Sequence, residues 1–162
     1  MNRDSLLATT TQPRFLADEM LGRLAKWLRL LGYDTRYVFD LSDSEIVALA
    51  ESEERILLTR DVSLMQRKRC RSCIFVKSDH WREQLKQVYV DAGLNCKSIL
   101  TVCTTCNHPL AVVERESIRS LVPPYVYVTQ GKFSRCGNCS RIFWSATHVD
   151  QIVKELENLK KE

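Results

Sequence analysis

Arg14-Phe15-Leu16-Ala17-Asp18-Glu19-Met20-Leu21-Gly22-Arg23-Leu24-Ala25-Lys26-Trp27-Leu28-Arg29-Leu30-Leu31-Gly32 opens on a short apolar run, then spaces Met20, Leu21, Leu24, Ala25, Leu28 and Leu31 three or four residues apart. That pattern predicts a strand followed by an amphipathic helix. Gly32 stands where a helix C-cap would, and the aromatic, β-favouring run from Tyr33 to Phe39 predicts a second strand. Ser42 and Glu45 have capping-box spacing and open a helix through Ile46, Val47, Leu49 and Ala50. The unit then recurs. Ile56-Leu57-Leu58-Thr59 precedes a short helix around Val62 to Gln66, and Ile74-Phe75-Val76 precedes a helix carrying Leu85, Val88 and Tyr89. Strand and helix alternating four times implies an α/β fold with a mainly parallel central sheet between helices.

Beyond Gly93 the pattern changes. Cys103-Thr-Thr-Cys106 and Cys136-Gly-Asn-Cys139 are two C-x-x-C knuckles with turn-forming neighbours, a spacing that predicts one structural zinc held by four thiolates. Four thiolates leave no open position for water, so this zinc is expected to clamp rather than to react. His108 and His148 are spare. Tyr125-Val126-Tyr127-Val128 after Pro123-Pro124 reads as a short strand, and Val149, Ile152, Val153, Leu156 and Leu159 make a closing helix. The expected division is a flexible tail over 1–12, a sheet domain over 13–95, a zinc ribbon over 96–146 and a C-terminal helix over 147–162.

Composition excludes some classes. With 162 residues, 44% hydrophobic and 27% charged, the chain can fold around a proper core and has the composition of a folded soluble protein rather than a disordered one. Met1 to Gln12 lacks the basic-then-apolar order of a signal peptide, and no apolar run reaches membrane-spanning length. Seven cysteines without a secretion signal point to a reducing compartment, so the cytoplasm is the expected location, with no membrane partner. The net charge of +4 is compatible with a polyanion.

Ligands of an open parallel sheet bind beyond the carboxyl ends of its strands. Asp18 follows the first strand, Asp40 and Asp43 the second, Asp61 the third and Asp79 the fourth. Each alone could be a helix N-cap. Together on one edge, like charges need a cation, and an oxygen-only ligand set favours Mg²⁺ or Mn²⁺ over zinc.

The run from Phe15 to Asp34, the Ile56-Leu57-Leu58-Thr59-Arg60-Asp61 segment and the paired knuckles closely resemble the Mut-seven-type C-terminal RNase domain, over roughly Arg14 to His148. That family belongs to the PilT N-terminal (PIN) nuclease superfamily and carries an appended zinc ribbon. The resemblance implies a PIN-like three-layer fold and metal-dependent cleavage of RNA. By position, the catalytic carboxylates would be Asp18, Asp43, Asp61 and Asp79. Asp18, Asp61 and Asp79 would hold Mg²⁺ or Mn²⁺ while Asp43 orients or deprotonates water. Asp40 and Glu45 are alternatives to Asp43.

Arg23, Lys26 and Arg29 recur on the expected polar side of the first helix, and Arg60 adjoins Asp61. With Arg67, Lys68 and Arg69 they are candidate contacts for the phosphates of single-stranded RNA. Tyr125, Tyr127, Phe133 and Trp144 could stack on bases, although packing is their ordinary use. Two other readings compete. A non-catalytic zinc-ribbon adaptor would bind RNA or protein, and Cys70-Arg-Ser-Cys73 could be a redox pair.

Overall fold

The computed structural model describes residues 11–66 and 72–161. Its first part is a parallel sheet of four strands: β1 (Phe15–Ala17), β2 (Thr35–Tyr37), β3 (Ile56–Thr59) and β4 (Cys73–Phe75), in the order β2-β1-β3-β4. The connecting helices are α1 (Gly22–Leu30), α2 (Asp43–Ser52) and α3 (Val62–Met65), and α4 (Trp81–Asp91) follows the last strand. Alternate residues of a strand point to opposite faces, so each central strand supplies two cores. Phe15, Ala17 and Leu58 meet Leu24 and Leu28 of α1 and Leu85, Val88 and Tyr89 of α4 on one face. Leu16 and Leu57 meet Ile46, Val47, Ala50 and Leu64 on the other. The result is the expected three-layer α/β arrangement.

Local signals explain the boundaries. Ser42 Oγ accepts from the Glu45 amide while the Glu45 carboxylate accepts from the Ser42 amide, so both halves of the capping box form at the start of α2. Asp18 caps a 3-10 turn, Glu19–Leu21, before α1 begins. That tighter turn corrects the expectation for Met20, which is 65% exposed instead of facing the core. Gly32 follows the end of α1 at φ 94°, and the Ser98 carbonyl oxygen lies 2.0 Å from where a Cβ would stand. Only glycine fits there.

Downstream, β5 (Leu110–Val113), β6 (Phe133–Cys136) and β7 (Ile142–Phe143) form an antiparallel sheet in that order. Between β5 and β6 lie a 3-10 turn, Arg115–Ile118, and a helix, α5 (Pro124–Thr129). The helix corrects the strand expected over Tyr125 to Val128. Pro124 at the first helical position is already set to helical φ and lacks only an amide hydrogen that a helix start leaves unbonded. Turning the segment into a helix packs Val126 and Tyr127 against Ile118, Val122 and Phe133, which outweighs their β preference. The last helix, α6 (Thr147–Asn158), returns to the large sheet, where Ile152 and Leu156 join the core of α1 and α4. No described helix is long and apolar enough to cross a membrane.

Candidate metal centre and acidic edge

β1 lies between β2 and β3, so the chain leaves β1 and β3 toward opposite faces of the sheet, which makes their carboxyl ends a topological switch point. Asp18 stands on one side of this switch point and Asp61 on the other. Asp18 is buried, with Oδ1 accepting from the Met20 amide at 3.1 Å and Oδ2 from Thr59 Oγ1 at 2.5 Å. Thr59 Oγ1 in turn accepts from the Asp61 amide at 3.0 Å. Asp61 Oδ1 accepts from the Ser63 amide at 2.7 Å, and Ser63 Oγ reaches Asp43 Oδ2 at 3.5 Å. One hydrogen-bonded array thus joins Asp18, Asp61 and Asp43 through Thr59 and Ser63.

Asp79 stands exposed in the loop before α4, and Asp40 is exposed at φ 56°. The Glu45 carboxylate is committed to Ser42, whose hydrogen bonds hold it below the usual carboxylate range. Among the described residues, no three carboxylates approach one another closely enough to grip one ion directly. The rim of the same edge is apolar, with Met20, Phe39, Leu41 and Val62 exposed on the segments after β1, β2 and β3.

The cysteines behave differently. The Sγ atoms of Cys103, Cys106, Cys136 and Cys139 all lie within 4.8 Å of one another, with Cys103 and Cys139 at 3.7 Å and Cys106 and Cys136 at 3.4 Å. A tetrahedral zinc with bonds of about 2.3 Å spaces its sulfurs about 3.8 Å apart, so these four thiols can bind one zinc. Backbone amides of Thr105 and Cys106 point at Cys103, and the Cys139 amide at Cys136. The residue after each knuckle, Asn107 or Ser140, takes a left-handed turn at φ 63° or 61°. Burial pushes the Cys103 thiol up to about 12. At Cys106 burial acts in the same sense, but hydrogen bonds led by Asn138 and Cys136 prevail and draw it down to about 6. Neither His108 nor His148 joins the group: His108 Nδ1 sits 3.1 Å from the Cys106 carbonyl, and His148 meets the Trp27 ring edge-on.

The first knuckle docks on the edge strand of the large sheet. Asn107 Oδ1 accepts from the Thr35 amide at 2.9 Å, and Asn107 Nδ2 donates to Asp34 at 2.6 Å. Arg29 completes the seam, Nε donating to the Thr35 carbonyl and Nη1 to those of Thr104 and Thr105. This corrects the expectation that Arg29 lies on a polar helix face, since it is only 8% exposed and burial lowers its pKa. Arg23 and Lys26 are exposed as expected, Arg23 lying over the Trp81 ring at 4.7 Å. Arg60 is half-buried beside Asp61. Arg67, Lys68, Arg69 and Cys70 lie outside the described residues, while Cys73 Sγ sits 3.1 Å from Met65 Sδ. Of the ribbon aromatics, Phe133 is buried, Tyr127 and Trp144 pack on its small core, and Tyr125 is 76% exposed.

Sequence reasoning overlooked Thr59 and Asn107. Thr59 lies inside the quoted Thr-Arg-Asp segment and Asn107 directly follows a zinc knuckle, but their partners are remote in sequence.

Comparison with characterised proteins and with solved structures gives no match. A profile of the Mut7-C RNAse domain family matches residues 13–156, nearly the whole chain. Together with the parallel sheet and the four-cysteine group, this match means that the chain belongs to the Mut7-C RNAse domain family.

Proposed function

We propose that the protein is a Mg²⁺- or Mn²⁺-dependent ribonuclease that hydrolyses phosphodiester bonds of single-stranded RNA at the acidic edge, in the cytoplasm. The observation that carries this reading is the array joining Asp18, Asp61 and Asp43 at the switch point between β1 and β3. Membership of an RNase family supports the reaction class. When bound, a divalent ion supplies Lewis-acid stabilisation of phosphate charge and a more acidic water. Asp18, Asp61 and Asp79 would hold it partly through its bound waters, because no three described carboxylates come together around one point. Asp18 is already oriented by two hydrogen bonds, so little reorganisation is needed. Asp43, at the first position of α2, would orient water or take its proton. Arg60 adjoins Asp61 and serves the phosphate, as do the cations Arg67, Lys68 and Arg69. Zinc in the ribbon is structural.

The test compares wild type, Asp18→Asn and Asp61→Asn on end-labelled RNA with added Mg²⁺ or Mn²⁺. Wild type should cut and both variants should lose at least a hundredfold in rate. Equal cutting by all three would remove the acidic edge from the reaction.

A non-catalytic adaptor is the second reading, and exposed Val112, Leu121, Tyr125 and Val128 on the ribbon segment favour it. Stoichiometric binding of RNA without metal-dependent turnover would support it.

A further inference from the structure

An open pocket of about 580 Å³ lies between α1, the end of β2 and the first knuckle, lined by Gly22, Arg23, Lys26, Trp27, Arg29, Tyr37 and Thr105. That volume is within the range of about 300–1,000 Å³ in which small ligands bind. Three of its seven lining residues are cations and none is a carboxylate. The seam between the first knuckle and the sheet is open here.

Its walls are fixed from both sides. Trp27 stacks on Trp81 of α4 at 5.0 Å and 8°, and Tyr37 donates from its hydroxyl to the Glu19 carbonyl at 2.8 Å. Arg29 is more than nine-tenths buried; its direct hydrogen-bond partners are carbonyl oxygens of Thr35, Thr104 and Thr105, and Cys103, Cys106 and Asp34 lie close enough to act on its charge, so the exposed Arg23 and Lys26 are the cations free to meet a ligand. Gly22 has ordinary helical φ of −58°, so its conformation does not call for glycine. A Cβ there would stand 3.2 Å from the Tyr37 ring, which explains why the wall carries no side chain. Gly22, one of the residues of its wall, follows Asp18 in the chain after the short 3-10 turn Glu19–Leu21.

We infer that this pocket is a subsite for one nucleotide of the RNA strand beside the acidic edge, its phosphate facing Arg23 and Lys26 and its sugar or base lying along Trp27 and Tyr37. The inference rests on the reading of the chain as acting on RNA and names where the strand continues away from the carboxylates. It also gives the zinc ribbon a part in substrate binding, because Thr105 of the first knuckle is one wall and Thr104 and Thr105 hold Arg29 in place.

The test measures binding of a fluorescein-labelled single-stranded oligouridylate to the zinc-loaded full chain by anisotropy, in the Asp61→Asn background and without added divalent ions, so that cleavage plays no part. Arg23→Ala/Lys26→Ala should weaken binding at least tenfold and flatten the dependence of log affinity on log salt by about 1.4 for two lost phosphate contacts. Thr105→Glu, an exposed position that leaves the Arg29 contact to backbone intact, should weaken binding at least fivefold. Circular dichroism checks that each variant is folded. The inference is overturned if both variants bind within twofold of the background with an unchanged salt slope, or if the background protein binds no RNA. Loss of binding in these variants alongside a wild type that never cuts would leave the subsite standing and remove the nuclease reading.

Discussion

Thr59 Oγ1 donates to Asp18 Oδ2 and accepts from the backbone amide of Asp61, so one buried hydroxyl ties the carboxylate that follows β1 to the backbone that follows β3. Thr59→Val keeps the shape and removes the hydroxyl, leaving Asp18 with one fewer donor. The expected cost is about 1–3 kcal/mol of stability, read by urea unfolding. Cleavage should fall at least tenfold, and Thr59→Ser should restore much of both. A valine variant as active as wild type would show that the hydroxyl does not position the site.

Gly32→Ala should be among the most damaging small substitutions in the chain. The position needs positive φ, and the added methyl would overlap the Ser98 carbonyl. Those two penalties together come to roughly 2–5 kcal/mol, measurable as a fall in thermal midpoint. Gly93→Ala, also at positive φ but with open space around it, should cost visibly less.

Buried Arg55 makes paired bonds to both Asp34 oxygens and a third to Glu53. Partial burial by itself would raise the Asp34 pKa, but Arg55 and Asn107 outweigh it and hold the carboxyl below its ordinary 3.8. Glu53 is lowered in the same way by Arg55 and Arg36 against its own burial. A folded pKa below the unfolded one means that this stabilisation is complete above the ordinary carboxylate range and is lost as pH falls through the lower folded values. Wild type should therefore lose stability steeply below about pH 4. Asp34→Asn should be less stable at neutral pH and show a shallower acid slope. Denaturant titrations from pH 7 to pH 2 will check both.

Zinc binding should reach beyond the ribbon. Mass spectrometry under native conditions should find one zinc per chain, and Cys103→Ser should lose it. Because Asn107 follows Cys106 directly and holds the Thr35 amide, zinc loss should also raise hydrogen exchange at Thr35 in the sheet. Asn107→Ala should reproduce that local effect while keeping the metal. Unchanged exchange at Thr35 in both cases would separate the ribbon from the sheet edge.

Local pattern alone was sufficient for much of this molecule. The strand Ile56–Thr59, the capping box of α2, the glycine after α1 and the spacing of the zinc knuckles follow from period, cap chemistry and C-x-x-C geometry, which are written within a few residues. So does an acidic residue at each strand exit. Tertiary structure decided what those residues meet. Placing β1 between β2 and β3 set Asp18 beside Thr59, 41 residues away. Docking the first knuckle on β2 drew Arg29 inward to the Thr104 carbonyl, 75 residues away, although helical spacing put it on a polar face. Packing against Phe133 made a helix of Tyr125 to Val128, where propensity favours a strand. The physical reason is common to all three. Periodicity reports which face of a segment prefers burial, whereas strand order and the partner of a buried polar group are settled by contacts between segments distant in the chain.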